Sequence, residues 1–139
     1  SSRSKRAEES ARQRDGAVLK LMGLEHLADR TVAGLPFGVL RLIEVARTLV
    51  TGARLVCFDE PASGLDSAET ERLLEWFGFL RQIGITLLVI EHDVSFVVRL
   101  CDYIYVLDQG RLLASGTPSQ IQRDPEVIAS YLGAAVEVA

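Results

Sequence analysis

Two short apolar runs constrain the fold more than anything else in this sequence. Arg54–Asp59 lies between Gly52 and Pro61, and Gly84–Ile90 is an uncharged, largely apolar run rich in β-branched residues. Strands that lack polar alternation suit a sheet covered on both faces. Between the two runs, Asp66-Ser67-Ala68-Glu69 has the pattern of a capping box. The helix it predicts runs to about Gln82, with Leu73, Phe77 and Leu80 on one face. A short helix is expected near Val94–Leu100. Tyr103–Leu107 and Arg111–Ser115 flank Asp108-Gln109-Gly110, which predicts a β-hairpin. Pro118 and Pro125 each announce a short helix. Alternating strands and helices of this kind specify a parallel α/β sheet, here with a hairpin at its edge.

The earlier part of the chain is helical in pattern. Residues 1–15 carry Arg3, Lys5, Arg6, Arg12 and Arg14 against Glu8, Glu9 and Asp15, with almost nothing apolar. They form either a solvated helix or a frayed tail. Val18, Leu21, Met22, Leu24 and Leu27 suggest one or two short helices. After Gly34-Leu35-Pro36, the residues Leu42, Val45, Ala46 and Leu49 recur at helical spacing, and Pro36 suits the first helical position. The expected organisation is a polar start over 1–15, a helical part over 16–50, and an α/β part with C-terminal helices over 51–139.

Composition excludes several classes. With 139 residues and 48% hydrophobic side chains, the chain can bury roughly 68% of its unfolded surface without disulfides or metal. A net charge of −4 is poor for a general nucleic-acid binder, which needs clustered Lys and Arg. Cys57 and Cys101 are far apart with no CxxC or Cys/His spacing, so buried free thiols in a reducing compartment are expected rather than a zinc or redox centre. No leader peptide is expected at its start, and no apolar run approaches the roughly 20 residues a membrane span requires. The chain is expected to be soluble, and able to dock on a membrane protein.

The chemistry-bearing residues gather at strand ends. Ligands of open parallel sheets bind at the C-terminal ends of the strands, where Asp59, Glu60 and His92 fall. Taken alone, apolar residues followed by Asp-Glu read equally well as a strand cap beside a surface charge or as a magnesium-nucleotide site. Mg²⁺ accepts one carboxylate and keeps several waters, and a second carboxylate can polarise the water that attacks a γ-phosphate. A lone histidine at a strand end is more often structural than functional.

The motifs do not stand alone. Leu35-Pro36-Phe37-Gly38-Val39 precedes a helix, Asp59-Glu60-Pro61 ends a strand, Ser63-Gly64-Leu65-Asp66 follows, and Glu91-His92-Asp93 ends the next strand. In this order and spacing the chain, after about Gly16, resembles the ATP-binding subunits of ABC transporters. The run EHDVSFVVRLCDYIYVLDQGRLLASGTPSQI and the ending PEVIASYLG resemble the branched-chain amino-acid import group. The resemblance implies an ABC-type P-loop NTPase fold, of which this chain is similar to the C-terminal part. It implies that Asp59 holds magnesium, that Glu60 is the catalytic base, and that His92 senses the γ-phosphate. Asp66 becomes the acid that communicates across a dimer, and Leu35, Phe37, Gly38 and Val39 belong to the signature that grips nucleotide on a partner subunit.

The signature departs from the family's Leu-Ser-Gly-Gly-Gln. Pro36 replaces the serine and Val39 the glutamine, which removes a hydroxyl and an N–H from a helix N-terminus otherwise suited to anions. A phosphate loop G-x-x-x-x-G-K-[ST] needs a lysine after glycine. Lys5 and Lys20 are the only lysines, and neither follows one. No candidate for the family's Q-loop appears either. The chain as given is therefore expected to be inactive alone, although its parent is an ATPase.

The cofactors the resemblance implies are ATP and Mg²⁺. The implied partners are a second ATPase subunit, identical or different, and transmembrane permease subunits, with no nucleic acid, at the cytoplasmic face of the membrane. A contrasting possibility is a non-catalytic or regulatory module that donates its signature helix to a complete ATPase. Related domains also serve DNA repair and translation, but with large insertions or tandem domains that this sequence does not show.

Overall fold

The computed structural model describes residues 2–132; Ser1 and residues 133–139, including Gly133 at the end of PEVIASYLG, lie outside them. The elements in order are α1 (Ser2–Met22), a 3₁₀ turn (Glu25–Leu27), α2 (Phe37–Thr51), β1 (Leu55–Asp59), α3 (Ser67–Gln82) and β2 (Thr86–Ile90). They are followed by α4 (Val94–Leu100), β3 (Ile104–Asp108), β4 (Arg111–Gly116), α5 (Pro118–Arg123) and α6 (Pro125–Val127), which runs into a π turn at Ile128–Leu132. The chain divides into two compact units. Among the described residues, the first holds those up to Phe58 together with Ser63–Leu88, and the second holds Asp59–Ala62 and those from Val89 onward.

In the first unit the polar start is a continuous helix rather than a tail. Nothing in Ser2–Met22 breaks a helix strongly, and Glu8 and Arg12 pair one turn apart at 3.2 Å. Such an exposed pair adds only about 0.3–0.5 kcal/mol, so the buried Met22 end and the packing of α1 on α2 anchor the element. Gly23 ends it in the left-handed conformation at φ 69°. Its N–H reaches the Lys20 carbonyl, and the N–H of Leu24 reaches the Leu19 carbonyl. That pair of bonds satisfies carbonyls the helix would otherwise leave open.

Helices α2 and α3 pack together and build the core of this unit. Leu42, Val45 and Ala46 from α2, and Leu73, Phe77 and Leu80 from α3, are buried at the spacing their sequence predicts. Phe58 of β1 stacks on Phe77 with ring centroids 4.5 Å apart.

Strands β1 and β2 pair in a two-stranded sheet. They run parallel: the Arg54 carbonyl accepts from Thr86 N–H at one end, and the Ile90 carbonyl accepts from Glu60 N–H at the other. Here the expectation of strands covered on both faces fails. Leu55, Cys57, Thr86, Leu88 and Ile90 are exposed, while Phe58 alone in the pair is buried. One face meets α3 through the Phe58–Phe77 stack, and among the described residues nothing covers the other. An unbroken apolar run records what a strand is suited to meet, not what is present to meet it.

The second unit is organised around the hairpin. β3 and β4 pair antiparallel, with a register shift between Val106 and Leu107. Gln109 and Gly110 both have positive φ, 47° and 76°, as the two central residues of a type I′ turn require. Among the described residues the hairpin forms its own sheet rather than extending β1 and β2. Its inner side packs Ile104 against Ile121 and Val127, with Val97, Val98 and Cys101 alongside. Side chains cap each following helix: Asp93 accepts from Phe96 N–H, Thr117 and Gln120 form a reciprocal box, and Asp124 accepts from Glu126 and Val127 N–H. Cys101 is half-buried but Cys57 is exposed, so only one of the two expected buried thiols is even partly enclosed.

Candidate functional site

The Asp59-Glu60 pair lies where β1 ends. Asp59 is the last residue of the strand, and its side chain shares the exposed face with Leu55 and Cys57. Glu60 is the first residue beyond it and adopts φ 46°. That conformation is uncommon for any residue with a Cβ, and the following Pro61 biases Glu60 further toward extended backbone. The bond from Glu60 N–H to the Ile90 carbonyl, at 2.7 Å, holds it there. Pro61 is fully buried and anchors the far side of the turn.

The Glu60 carboxylate is thereby brought to His92. Its Oε1 lies 3.5 Å from His92 Nδ1, and both side chains stay open to solvent, 54% and 72% exposed. Two exposed polar groups held this close beyond the C-terminal ends of neighbouring parallel strands can share a proton or a water, as an acid–base pair must. A third acid that sequence reasoning passed over completes the cluster. Glu91 is 1% exposed at its side chain, and its Oε2 lies 4.0 Å from His92 Nδ1. The only signal for it in the sequence is an acid placed directly between an apolar strand and His92.

The signature residues and Asp66 belong to the first unit. Helix α2 starts at Phe37, so Pro36 occupies the cap position (φ −57°, ψ 150°) rather than the first helical one. The Pro36 carbonyl accepts from Leu40 N–H, so the first intrahelical bond is made there. The N–H groups of Phe37, Gly38 and Val39 then have no partner within the helix, as at any helix start. No side chain caps them at Pro36, and Leu35 is half-buried just before. Those three donors and the helix dipole are what this helix start can offer to an anion.

Asp66 caps α3. Its Oδ1 accepts from Glu69 N–H at 2.8 Å, while Glu69 Oε2 accepts from Asp66 N–H at 3.0 Å. This reciprocal box joins the segment after β1 to the signature. A Cβ at Gly38 would stand 2.5 Å from Glu69 Oε1, and a Cβ at Gly64 (φ 77°) would stand 3.4 Å from the Phe37 ring. Glycine at 38 is what lets helix α2 approach the locked Glu69 carboxylate. Gly38→Ala is therefore expected to break the Glu69 side of the box at a cost of about 1 kcal/mol. In a Glu69→Ala background the same change should be neutral or stabilising, giving a coupling of about 0.5–3 kcal/mol. Denaturant unfolding of the four variants measures it, and additive effects would refute the contact.

No group of three or more His, Cys, Asp or Glu able to cage a metal occurs among the described residues. The exposed Asp59 carboxylate at the end of β1, with Glu60 next to it, is of the kind Mg²⁺ uses, since that ion takes one or two carboxylates and its remaining ligands from water and phosphate. No helix among the described residues is long and apolar enough to cross a membrane.

Comparison with known proteins places the chain among similar sequences and folds. A family profile described as branched-chain amino acid ATP-binding cassette transporter matches residues 111–137. The high-affinity branched-chain amino acid transport ATP-binding protein LivG of Escherichia coli is 42% identical over 132 residues, covering 94% of this chain and 52% of LivG. The corresponding protein BraF of Pseudomonas aeruginosa is 39% identical over the same share of each chain. Among solved structures, the ADP conformation of an ATP-binding cassette of an ABC transporter superposes with a TM-score of 0.78 at 29% identity, over 89% of this chain and 50% of that one. A nucleotide-free cassette gives 0.77 at 28% identity, over 86% and 49%. The chain thus spans about half the length of the curated relatives it matches. An identity of 42% over 94% of the chain and a TM-score of 0.78 with a solved cassette give this chain the fold of the ATP-binding cassettes of ABC transporters, and its sequence is similar to about half of a subunit of the branched-chain amino-acid group.

Proposed function

We propose that this chain is the C-terminal part of a transport ATPase subunit that drives import of branched-chain amino acids or similar solutes. The observation that carries the proposal is the meeting of Glu60 and His92 at the ends of two parallel strands, 3.5 Å apart. In the complete subunit Asp59 would hold Mg²⁺, which would supply positive charge to offset the charge that develops on the transferred group. Glu60 orients the attacking water and takes its proton. His92 donates toward the γ-phosphate from the other strand. Leu35, Phe37, Gly38 and Val39 present the α2 N-terminus to nucleotide held by a second subunit, identical or different, and Asp66 faces that subunit. Residues 16–50 form the helical part and 51–139 the C-terminal part of the ATPase core. Permease subunits at the cytoplasmic face of the membrane are the transducers that hydrolysis would move.

The test is reconstitution of the full-length subunit with its permease partners in vesicles. ATP-dependent uptake of labelled leucine, isoleucine or valine is the expected result. ATP hydrolysis that no branched-chain solute stimulates would overturn the solute assignment. The 139-residue chain by itself is expected to show no magnesium-dependent turnover, since neither lysine can serve a phosphate loop. Sustained phosphate release by the pure chain would contradict that. The alternative of a non-catalytic donor of the signature helix draws on the same lack of a loop lysine. It predicts that the chain raises the MgATP affinity of a complete ATPase subunit without itself binding nucleotide.

A further inference from the structure

Glu91 stands apart from the residues around it. Its side chain is 1% exposed, next to a histidine that is 72% exposed. A buried carboxylate accepts hydrogen bonds and donates none, so it persists only where donors are supplied. Two backbone N–H groups supply them. Glu91 Oε1 accepts from Ala62 N–H at 2.8 Å, across 29 residues of sequence, and Oε2 accepts from His92 N–H at 3.2 Å. One carboxylate thus ties the turn after β1 to the loop after β2.

The turn it holds is the strained one. Glu60 sits at φ 46° immediately before Pro61, in a conformation that persists only where its surroundings over-determine it. Glu60 N–H is fixed to the Ile90 carbonyl on one side, and Ala62 N–H is fixed to Glu91 on the other. The same carboxylate fixes the backbone of His92, whose ring faces Glu60 Oε1.

We propose that Glu91 is a positioning residue, whose buried carboxylate clamps the Ala62 and His92 backbones and so sets the distance between Glu60 and His92. The inference rests on the roles proposed above for those two residues. Glu91 touches neither nucleotide nor water in the reaction, and acts only through the two loops. Its geometry is demanding. Glutamine keeps one acceptor oxygen but turns an NH2 toward the second N–H. Aspartate is too short to reach both donors, and alanine leaves both unsatisfied.

The test uses the full-length subunit with wild type, Glu60→Gln, Glu91→Gln, Glu91→Asp and Glu91→Ala. Because a misplacement near 1 Å can cost about 100-fold, Glu91→Ala and Glu91→Asp are expected to lower kcat about 10- to 100-fold with KM for ATP unchanged. Glu91→Gln should fall between them and wild type. Hydrogen exchange should accelerate in the peptides that carry Ala62 and His92 in all three Glu91 variants, with α5 unchanged. Should Glu91→Ala melt far below wild type, Glu91→Gln decides the matter by the same two measurements. Wild-type kcat, or unchanged exchange at Ala62 and His92, in Glu91→Gln and Glu91→Asp would overturn the proposal. A rise in KM with kcat intact would also overturn it. The underlying roles fail separately, through an inactive wild type or a Glu60→Gln variant with full activity, and the exchange measurement still tests the clamp in that case.

Discussion

In the full-length subunit, Glu60→Gln is expected to cut kcat for ATP hydrolysis by about 100- to 10,000-fold, the range contributed by a positioned general base. MgATP binding should survive. The substitution keeps the size and planarity of the side chain but removes its capacity to take a proton, so an interaction that matters mainly in the transition state is lost. The backbone should also survive, because Glu60 is fixed through its own N–H to the Ile90 carbonyl rather than through its carboxylate alone. Steady-state phosphate release together with equilibrium nucleotide binding separates the two effects. A Glu60→Gln protein that hydrolyses ATP at the wild-type rate would remove Glu60 from the role of base, and with it the main chemical argument from the Asp-Glu pair.

Phe77→Ala is expected to be the most damaging change to the fold. Phe77 is fully buried, and its ring stacks on Phe58 at 4.5 Å. Removing a buried phenylalanine ring costs about 3–5 kcal/mol, because the cavity collapses only in part. That is a large share of the 5–15 kcal/mol typical of a whole domain, and it should lower Tm by on the order of 15 °C or more. The damage reaches the site, since Phe58 directly precedes Asp59 and its inward packing sets which residues of β1 face outward. Thermal and denaturant melts of the chain measure the loss. A shift under about 1 kcal/mol would mean that the Phe58–Phe77 stack does not anchor β1 to α3.

Elements governed by neighbours in sequence were legible without the structure. Helix α3 begins at the expected Asp66–Glu69 box and ends at Gln82 as its apolar spacing indicated. Helix α4 spans Val94–Leu100 as expected, and the hairpin turns at Gln109-Gly110. Each is decided within four residues: a capping side chain reaches its own N3 position, and a two-residue turn selects its own backbone angles. The positions of Asp59, Glu60 and His92 at strand ends followed for the same reason, from where apolar runs stop.

The tertiary structure decided what depends on residues far apart in the chain. That Glu91 is buried follows from its bond to Ala62, and no local pattern encodes a contact across 29 residues. The positive φ of Glu60 is a compromise among the β2 bond, the buried Pro61 and that same clamp. Gly38 looked like one letter of a motif, yet its missing Cβ is what admits the Glu69 carboxylate. The strands' outward faces are open although their composition suits burial, because composition states a preference and only a neighbour can satisfy it. Sequence alone therefore determined which carboxylates end the strands. Packing between distant segments determined that Glu60 meets His92, because side-chain distances across strands depend on backbone geometry that local spacing does not carry.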